Sequence, residues 1–480
     1  MELRDYVEYD GIGLSELIAK GDVSATEVAE VAAKAISATD GEVNALVEQW
    51  YGEVPITTPS RSPLAGVPFL IKDLAVTMKG RKNELGSALA EGLVMEADST
   101  LMRRFKEAGL ITLGRTTTPE FAISTTSEAR ATGPSRNPWN TDYNCGGSTG
   151  GSGAAVAAGM VPLAHATDGG GSIRVPASVN GIFGLKPTRG RVSNGPALDE
   201  VWSGLVSQLG LSRTVRDSAA LLDAVGKPAP GEPYYTLPPE DSFLSAAGKD
   251  PKALKIGLMV DPLNGTKTAA TVAATLEQTG KLLEGLGHNV EPVRVDPGVS
   301  WDEFLHANTL FWTLNTAAWI DFISSITGRP INGEYLERAS LAVHEYGSRV
   351  SGMDVLGALG VRNTVSRAMG AWFEDFDVLL TPTVPDNPLR IGEYNPAQDS
   401  VDGPGWINHV FSQSPFTALA NIAGLPCMSV PAGRDAETNI PIGAMYCAGF
   451  GNDAMLFSLA GQIERAAPWT GDKPRIWAGN

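Results

Sequence analysis

Apolar positions along the chain recur at two periods, and each predicts a different element. Leu14, Leu17 and Ile18 have helical spacing and stop at Gly21. Ser24-Ala25-Thr26-Glu27 then reads as a capping box opening a second helix from Val28 to Ile36. These amphipathic helices are expected to cover a sheet, with a dimer contact as the alternative. Residues 52–63 read as a loop, and Val67 to Ile71 is an unbroken apolar run of strand length. Ser99 to Ala108 predicts a helix and Leu110 to Gly114 a short strand. Further on, Val215 to Val225 predicts a helix, Lys227 to Pro239 a Pro-rich loop, Leu254 to Met259 a strand and Ala269 to Leu286 a helix. Residues 301–326 are aromatic-rich and mainly helical; pocket lining and core packing explain Trp312 and Phe322 equally well. Phe376 to Thr383 predicts a strand into a turn, Phe416 to Ala423 a helix, Met428 to Pro431 and Ile442 to Cys447 strands, and Met455 to Ile463 the last helix. Alternating strands and helices favour an α/β layer arrangement.

Composition narrows the function classes. An apolar share of 43% against 19% charged residues is ample for a large core, and 54 Gly with 32 Pro imply many loops. A net charge of −17 argues against a nucleic-acid partner, which needs basic patches. No run of 18 uncharged apolar residues predicts a membrane span, and the N-terminus shows no apolar signal core. The three cysteines, Cys145, Cys427 and Cys447, form no CxxC pair; this predicts a reducing, cytoplasmic setting without a disulfide framework.

The chemistry concentrates between residues 144 and 192. One cluster is Gly146-Gly147-Ser148-Thr149-Gly150-Gly151-Ser152; the other is Thr167-Asp168-Gly169-Gly170-Gly171-Ser172. Consecutive glycine peptides can turn several N–H groups toward one point, as an oxyanion requires. A flexible linker is the plain alternative, but a linker is not interrupted by an Ala/Val segment. A phosphate cradle would want GxxxxGK[ST], and no lysine follows at that spacing.

A serine nucleophile needs a base. None of the five histidines forms HExxH or another close metal pair, so a zinc hydrolase is disfavoured and no metal is expected. A histidine-dependent nucleophile elbow is not expected either. His165 lies in the apolar run Val161 to His165, where a packed neutral imidazole is the commoner state. Cys145 reads as a small buried thiol rather than a nucleophile. Lys72 follows the Val67–Ile71 run directly. It reads equally as an ion-pair partner of Asp73 and as a base whose pKa burial has lowered.

The runs GGSTGGSGAAVAAG and TDGGGSIRVPASVNGIFGLKPTRGRVS, with GVPFLIKDL and RNPWN upstream and FDVLLTPT, GLPCMSVPAG and PIGAMYCAGFGND downstream, resemble the amidase signature family. The resemblance is strongest at 64–74 and 135–192 and weak at 230–375. It implies one α/β/α domain over 1–480 with a central mixed β-sheet covered by helices, core segments 60–225 and 375–470, and a variable insertion at about 295–370. It implies a Ser–cis-Ser–Lys triad: Ser172 as nucleophile, Ser148 as the cis-serine and Lys72 as base. The N–H groups of Gly169, Gly170, Gly171 and Ser172 would hold the oxyanion. Thr149 stands where the family commonly has Ser, which leaves its hydroxyl role intact. Gly169 replaces a frequent Thr, which implies a more flexible or open loop. Asp168 and Arg174 match family positions and are expected to be scaffold rather than substrate contacts.

Within the family the arrangement is similar to bacterial amidases of the 6-aminohexanoate cyclic-dimer hydrolase type. The implied activity is hydrolysis of small, apolar or xenobiotic amides through an acyl-enzyme, without a cofactor. Carbamate (urethane) or aryl ester hydrolysis is the alternative, as is an amidase-like subunit of a tRNA-dependent amidotransferase. The expected partner is a small-molecule amide or carbamate, on a monomer or homodimer. The stretch 301–326 and a loop at 386–415 are expected to shape the pocket.

Overall fold

The computed structural model describes residues 1–56, 62–198 and 200–480. Residues 57–61 of the predicted 52–63 loop therefore lie outside the described residues. Eleven strands form one sheet: β1 (Leu46–Gln49), β2 (Pro68–Lys72), β3 (Ile111–Thr116), β4 (Leu163–Asp168), β5 (Phe183–Lys186), β6 (Ser207–Ser212), β7 (Lys255–Leu258), β8 (Asn289–Pro292), β9 (Val378–Pro382), β10 (Cys427–Arg434) and β11 (Pro441–Ala448). Their order is β1-β3-β2-β4-β6-β5-β10-β11-β9-β7-β8. The sheet is mixed: β2 runs parallel to β3 and β4, whereas β4–β6, β5–β6, β5–β10, β10–β11 and β9–β11 are antiparallel. Helices cover it, giving the α/β class that the alternation predicted.

The sheet-covering helices form for the reasons visible in the sequence. Gly21 caps the first of them at φ 78°, and the Ser24–Glu27 capping box closes in both directions. The helix it opens runs further than expected, Ala25–Val43, and buries Val28, Ala29, Ala32, Ala35 and Ile36 in the main core. These small side chains let it lie close to β2 and β3. All of β2, β3, β4 and β6 is buried, consistent with apolar runs covered on both faces.

Three differences from the sequence reading have physical causes. The helices Arg338–Gly347 and Gly352–Asp375 lie where family resemblance is weak, and much of each faces solvent, so an apolar stripe is thin. The 386–415 segment is not simply a loop: Asp402 caps a helix at Gly403–Gln413, which buries Trp406, Ile407, Val410 and Phe411. Cys427 and Cys447 form a disulfide, against the expectation of none. They sit directly opposite on antiparallel β10 and β11, a register that linear spacing does not show. Cysteine spacing therefore says nothing about the redox compartment. No helix among the described residues is long and apolar enough to cross a membrane.

A second core lies beside the first. It gathers Trp312, Trp406 and Phe411 from the segments predicted to shape a pocket, and Phe121, Trp202 and Phe416 from outside them. Trp312 is buried in it, whereas Phe322 is 61% exposed and does no core packing.

Candidate active site

Because β2 and β4 run parallel, their C-terminal ends reach the same edge of the sheet. Lys72 ends β2, and Thr167 and Asp168 end β4. Open sheets of this kind place ligands at the carboxyl ends of parallel strands.

Lys72 is completely buried, and its ammonium nitrogen meets three hydroxyls: Ser148 Oγ at 2.7 Å, Thr167 Oγ1 at 2.9 Å and Thr149 Oγ1 at 3.1 Å. The ion-pair reading fails, because Asp73 instead pairs with Arg115 at 2.6 Å. Burial pushes the Lys72 pKa well below 10.5, against the opposing pull of Asp168 and Asp73. A neutral amine has two N–H donors and one lone pair. The Thr149 hydroxyl already donates to Thr167 O at 3.2 Å, so it can only accept from Lys72. When the Thr167 hydroxyl accepts the second N–H, the lone pair faces the Ser148 hydroxyl. The arrangement can take a proton from Ser148.

Ser148 sits just ahead of the helix Gly150–Ala157, after a cis Gly147–Ser148 peptide. A methyl group on Gly147 would lie 2.5 Å from Thr126 O, so the backbone fits there only without a side chain. The letters Gly146 to Gly150 do fit a G-x-S-x-G elbow, contrary to the sequence expectation. No strand leads into that turn, however, and Ser148 faces a lysine, not a histidine. His165 is packed and neutral as expected. Its Nδ1 accepts the Lys72 backbone N–H at 3.3 Å, its Nε2 lies 3.0 Å from Gln208 Oε1, and burial lowers its pKa to about 3. Cys145 is a buried thiol donating to Ser135 O, its pKa raised by burial.

The second glycine cluster forms the turn between β4 and the helix Arg174–Asn180. Asp168 organises it. Its Oδ1 accepts from the Gly171 N–H at 2.8 Å and its Oδ2 from the Ile173 N–H at 3.2 Å. Arg174 closes a fully buried bidentate pair with it at 2.9 Å. Burial would raise the Asp168 carboxyl, but Arg174 outweighs it and holds the pKa at about 2. The Gly171 N–H is thus spent on Asp168. Among the described residues, the N–H groups of Gly169, Gly170 and Ser172 meet no protein acceptor. Gly171 instead supplies the turn: its φ of 135° excludes side chains, and a methyl there would lie 2.6 Å from Thr417 Oγ1. Ser172 is 7% exposed, and its hydroxyl has no protein partner among the described residues.

Residues beyond the signature complete the site. Asn421 donates to Asp168 Oδ1 at 2.9 Å and accepts from Arg174 at 2.7 Å. Thr417 donates to Gly170 O at 2.5 Å. Both come from Thr417–Gly424, some 250 residues downstream of the loop they hold, and nothing in their local sequence marks them. Thr167 was visible in the second cluster but carried no assigned role. Among the described residues, no three His, Cys, Asp or Glu side chains gather as a metal site.

A family model described as Amidase matches residues 26–457. The chain is 32% identical over 478 residues to the 6-aminohexanoate-cyclic-dimer hydrolase of Paenarthrobacter ureafaciens, covering 97% of this chain and 96% of that one. A solved structure of 6-aminohexanoate cyclic dimer hydrolase complexed with substrate superposes with a TM-score of 0.93 at 30% identity, over 98% of this chain and 99% of the other. A bacterial aryl acylamidase of the amidase signature family superposes at 0.85 with 27% identity, over 96% and 97%.

Proposed function

This chain belongs to the amidase family, and we propose that it hydrolyses small amides by a Ser–cis-Ser–Lys relay through an acyl-enzyme on Ser172. The observation that carries this reading is the desolvated Lys72 amine, held by Thr149 and Thr167 with its remaining valence toward Ser148 at 2.7 Å. In this mechanism neutral Lys72 draws a proton through Ser148 from Ser172. The Ser172 oxygen attacks the carbonyl carbon. The negative charge that develops on the carbonyl oxygen is received by the N–H groups of Gly169, Gly170 and Ser172, which have no protein acceptor to give up. Ser148 returns the proton to the departing nitrogen, and water then releases the acyl group from Ser172. Asp168 and Arg174 hold the loop and do not touch the substrate. The helix Trp301–Thr327, within the variable insertion at about 295–370, and the segment 386–415 shape the pocket.

The same nucleophile and donors serve carbamate and aryl ester carbonyls, and a chromogenic panel of all three ranks them. The test of the mechanism is hydrolysis of a 4-nitroanilide by the purified chain alone, with mass spectrometry of the acylated protein. The acyl mass is expected on the peptide carrying Ser172, and Ser172→Ala should lower kcat by on the order of 10⁵-fold or more. Turnover retained in Ser172→Ala would place the nucleophile elsewhere. Activity on glutamine alone, and only with a partner protein, would make the chain an amidotransferase subunit instead.

A further inference from the structure

The sheet opens at a seam between β2 and β4, and Lys72 stands in it. The pairing of these two strands stops at Leu70 opposite Ala164. Beyond that point each keeps its other neighbour: β2 continues beside β3 to Lys72 opposite Thr116, and β4 continues beside β6 to Asp168 opposite Ser207. Lys72 and Thr167 thus end on opposite sides of the seam, and the Lys72 amine crosses it to the Thr167 hydroxyl at 2.9 Å. Parting two buried strands leaves backbone groups that need partners. The Asp73 N–H turns to Thr116 O on β3 at 3.1 Å. The Lys72 N–H goes to a side chain, His165 Nδ1, at 3.3 Å. His165 is the next residue of β4 after the paired stretch, so its imidazole fills the place where the next rung of the ladder would be.

The ring is held from every side. It is completely buried and lies 5.9 Å from Phe105 between centroids, edge to face, and Phe105 packs in turn on Phe69 of β2 at 4.8 Å. The His165 carbonyl accepts from Ser152 Oγ at 2.8 Å, and that hydroxyl meets Thr116 Oγ1 at 2.7 Å. One tautomer alone serves. A backbone N–H can only donate, so Nδ1 must carry a lone pair and the proton sits on Nε2. Gln208 on β6 receives that proton: its Oε1 lies 3.0 Å from Nε2, and its amide nitrogen donates to Asn194 Oδ1 at 2.8 Å, which fixes which end faces the ring. A second proton would set N–H against N–H and a cation beside the Lys72 amine; burial keeps it off until about pH 3.

We infer that His165 is a positioning residue for the base: its Nε2–H tautomer, fixed by Gln208, holds the Lys72 backbone at the open seam so that the amine reaches from Thr167 to Ser148. The inference rests on the amidase reading for the role of Lys72. His165 touches no reacting atom and acts through the Lys72 main chain. The amine meets Ser148, Thr149 and Thr167 between 2.7 and 3.1 Å, contacts that a small backbone shift would break. A misplacement of about 1 Å costs on the order of 10²-fold in rate.

The experiment compares the native enzyme with His165→Leu, which fills the site without an acceptor, and His165→Asn, whose side-chain oxygen takes the place of Nδ1. With hexanoyl 4-nitroanilide, His165→Leu should lose on the order of 10²-fold in kcat with KM within about twofold. Its kcat–pH curve should move up toward the ordinary lysine range, because an amine that leaves its dry seat regains solvation. His165→Asn should recover about tenfold of the lost rate and keep the native pH midpoint. Gln208→Leu frees the ring to take the other tautomer and should lower kcat about tenfold; it replaces His165→Leu if that variant does not fold. A structural role alone would lower thermal stability in both His165 variants and leave kcat per folded molecule and the pH midpoint unchanged. Equal kcat losses in the two His165 variants, or an unchanged kcat in Gln208→Leu, would overturn the inference. Carbon NMR of protein labelled at the lysine Cε reads the titration of Lys72 without turnover, its signal assigned by Lys72→Met. If the native enzyme cleaved no anilide while that titration moved in His165→Leu and not in His165→Asn, the amidase reading would fall and the positioning role would stand.

Discussion

Replacing Asp168 by Asn tests how the glycine-rich loop at 169–172 is held. The carboxylate receives five N–H donors: Gly171, Arg174 Nη2 and Asn421 on Oδ1, with Arg174 Nε and Ile173 on Oδ2. An asparagine offers one oxygen. If its amide nitrogen takes the Oδ2 position, two donors face a donor; in the other orientation, three do. Arg174 also keeps its charge in a fully buried site without a counterion. Breaking a buried pair from one side costs about 3–5 kcal/mol, a large share of the 5–15 kcal/mol that holds a typical domain folded. The assay is urea unfolding of the native protein, Asp168→Asn, Arg174→Met and the double variant. The double variant should lose less than the two single losses added together, because removing both partners strands no charge. A loss under about 1 kcal/mol in Asp168→Asn, or simple additivity, would refute the account of the loop as clamped by this pair.

Three further outcomes follow from the same geometry. Because burial lowers the Lys72 pKa well below 10.5, the neutral base forms below the usual lysine range; kcat should rise with pH through that lowered value and then level off, whereas a flat profile with chemistry rate-limiting would remove Lys72 as base. Thr149→Val removes an acceptor from Lys72 and strands Thr167 O, and should lower kcat about tenfold with little change in KM; Thr149→Ser should stay within about twofold, and equal losses in both would show that the hydroxyl is not the operative group. His165 binds no proton in the fold until about pH 3, while the unfolded imidazole takes one below about 6.5. Stability should therefore fall with falling pH across that window, by about 1.4 kcal/mol per pH unit from this group alone, and show no such slope above it. Unfolding midpoints of His165→Gln between pH 4 and 6.5 should be correspondingly flatter; an unchanged slope would mean that the imidazole is protonated in the fold.

Local chemistry was enough to read much of this protein from its sequence. The Ser24–Glu27 box, the Gly21 stop and the apolar run before Lys72 each carry their signal within a few residues. The glycine clusters likewise announce tight, closely approached backbone, since only glycine permits the φ of Gly171 or the backbone approach at Gly147. What sequence left balanced was whether Lys72 pairs with Asp73. Neighbours in the chain suggest that pair, but β3 brings Arg115 to Asp73 and leaves Lys72 to three hydroxyls from β4 and the cis-serine turn. The same holds for Asn421 and Thr417 on the glycine-rich loop, for Cys427 opposite Cys447, and for Trp312 against Gly170. In each case the partner lies on a different strand or helix. Sequence fixes which backbone shapes and side-chain chemistries are available at each position; strand order and helix packing decide which of them meet, and so which lysine is desolvated and which donors remain free.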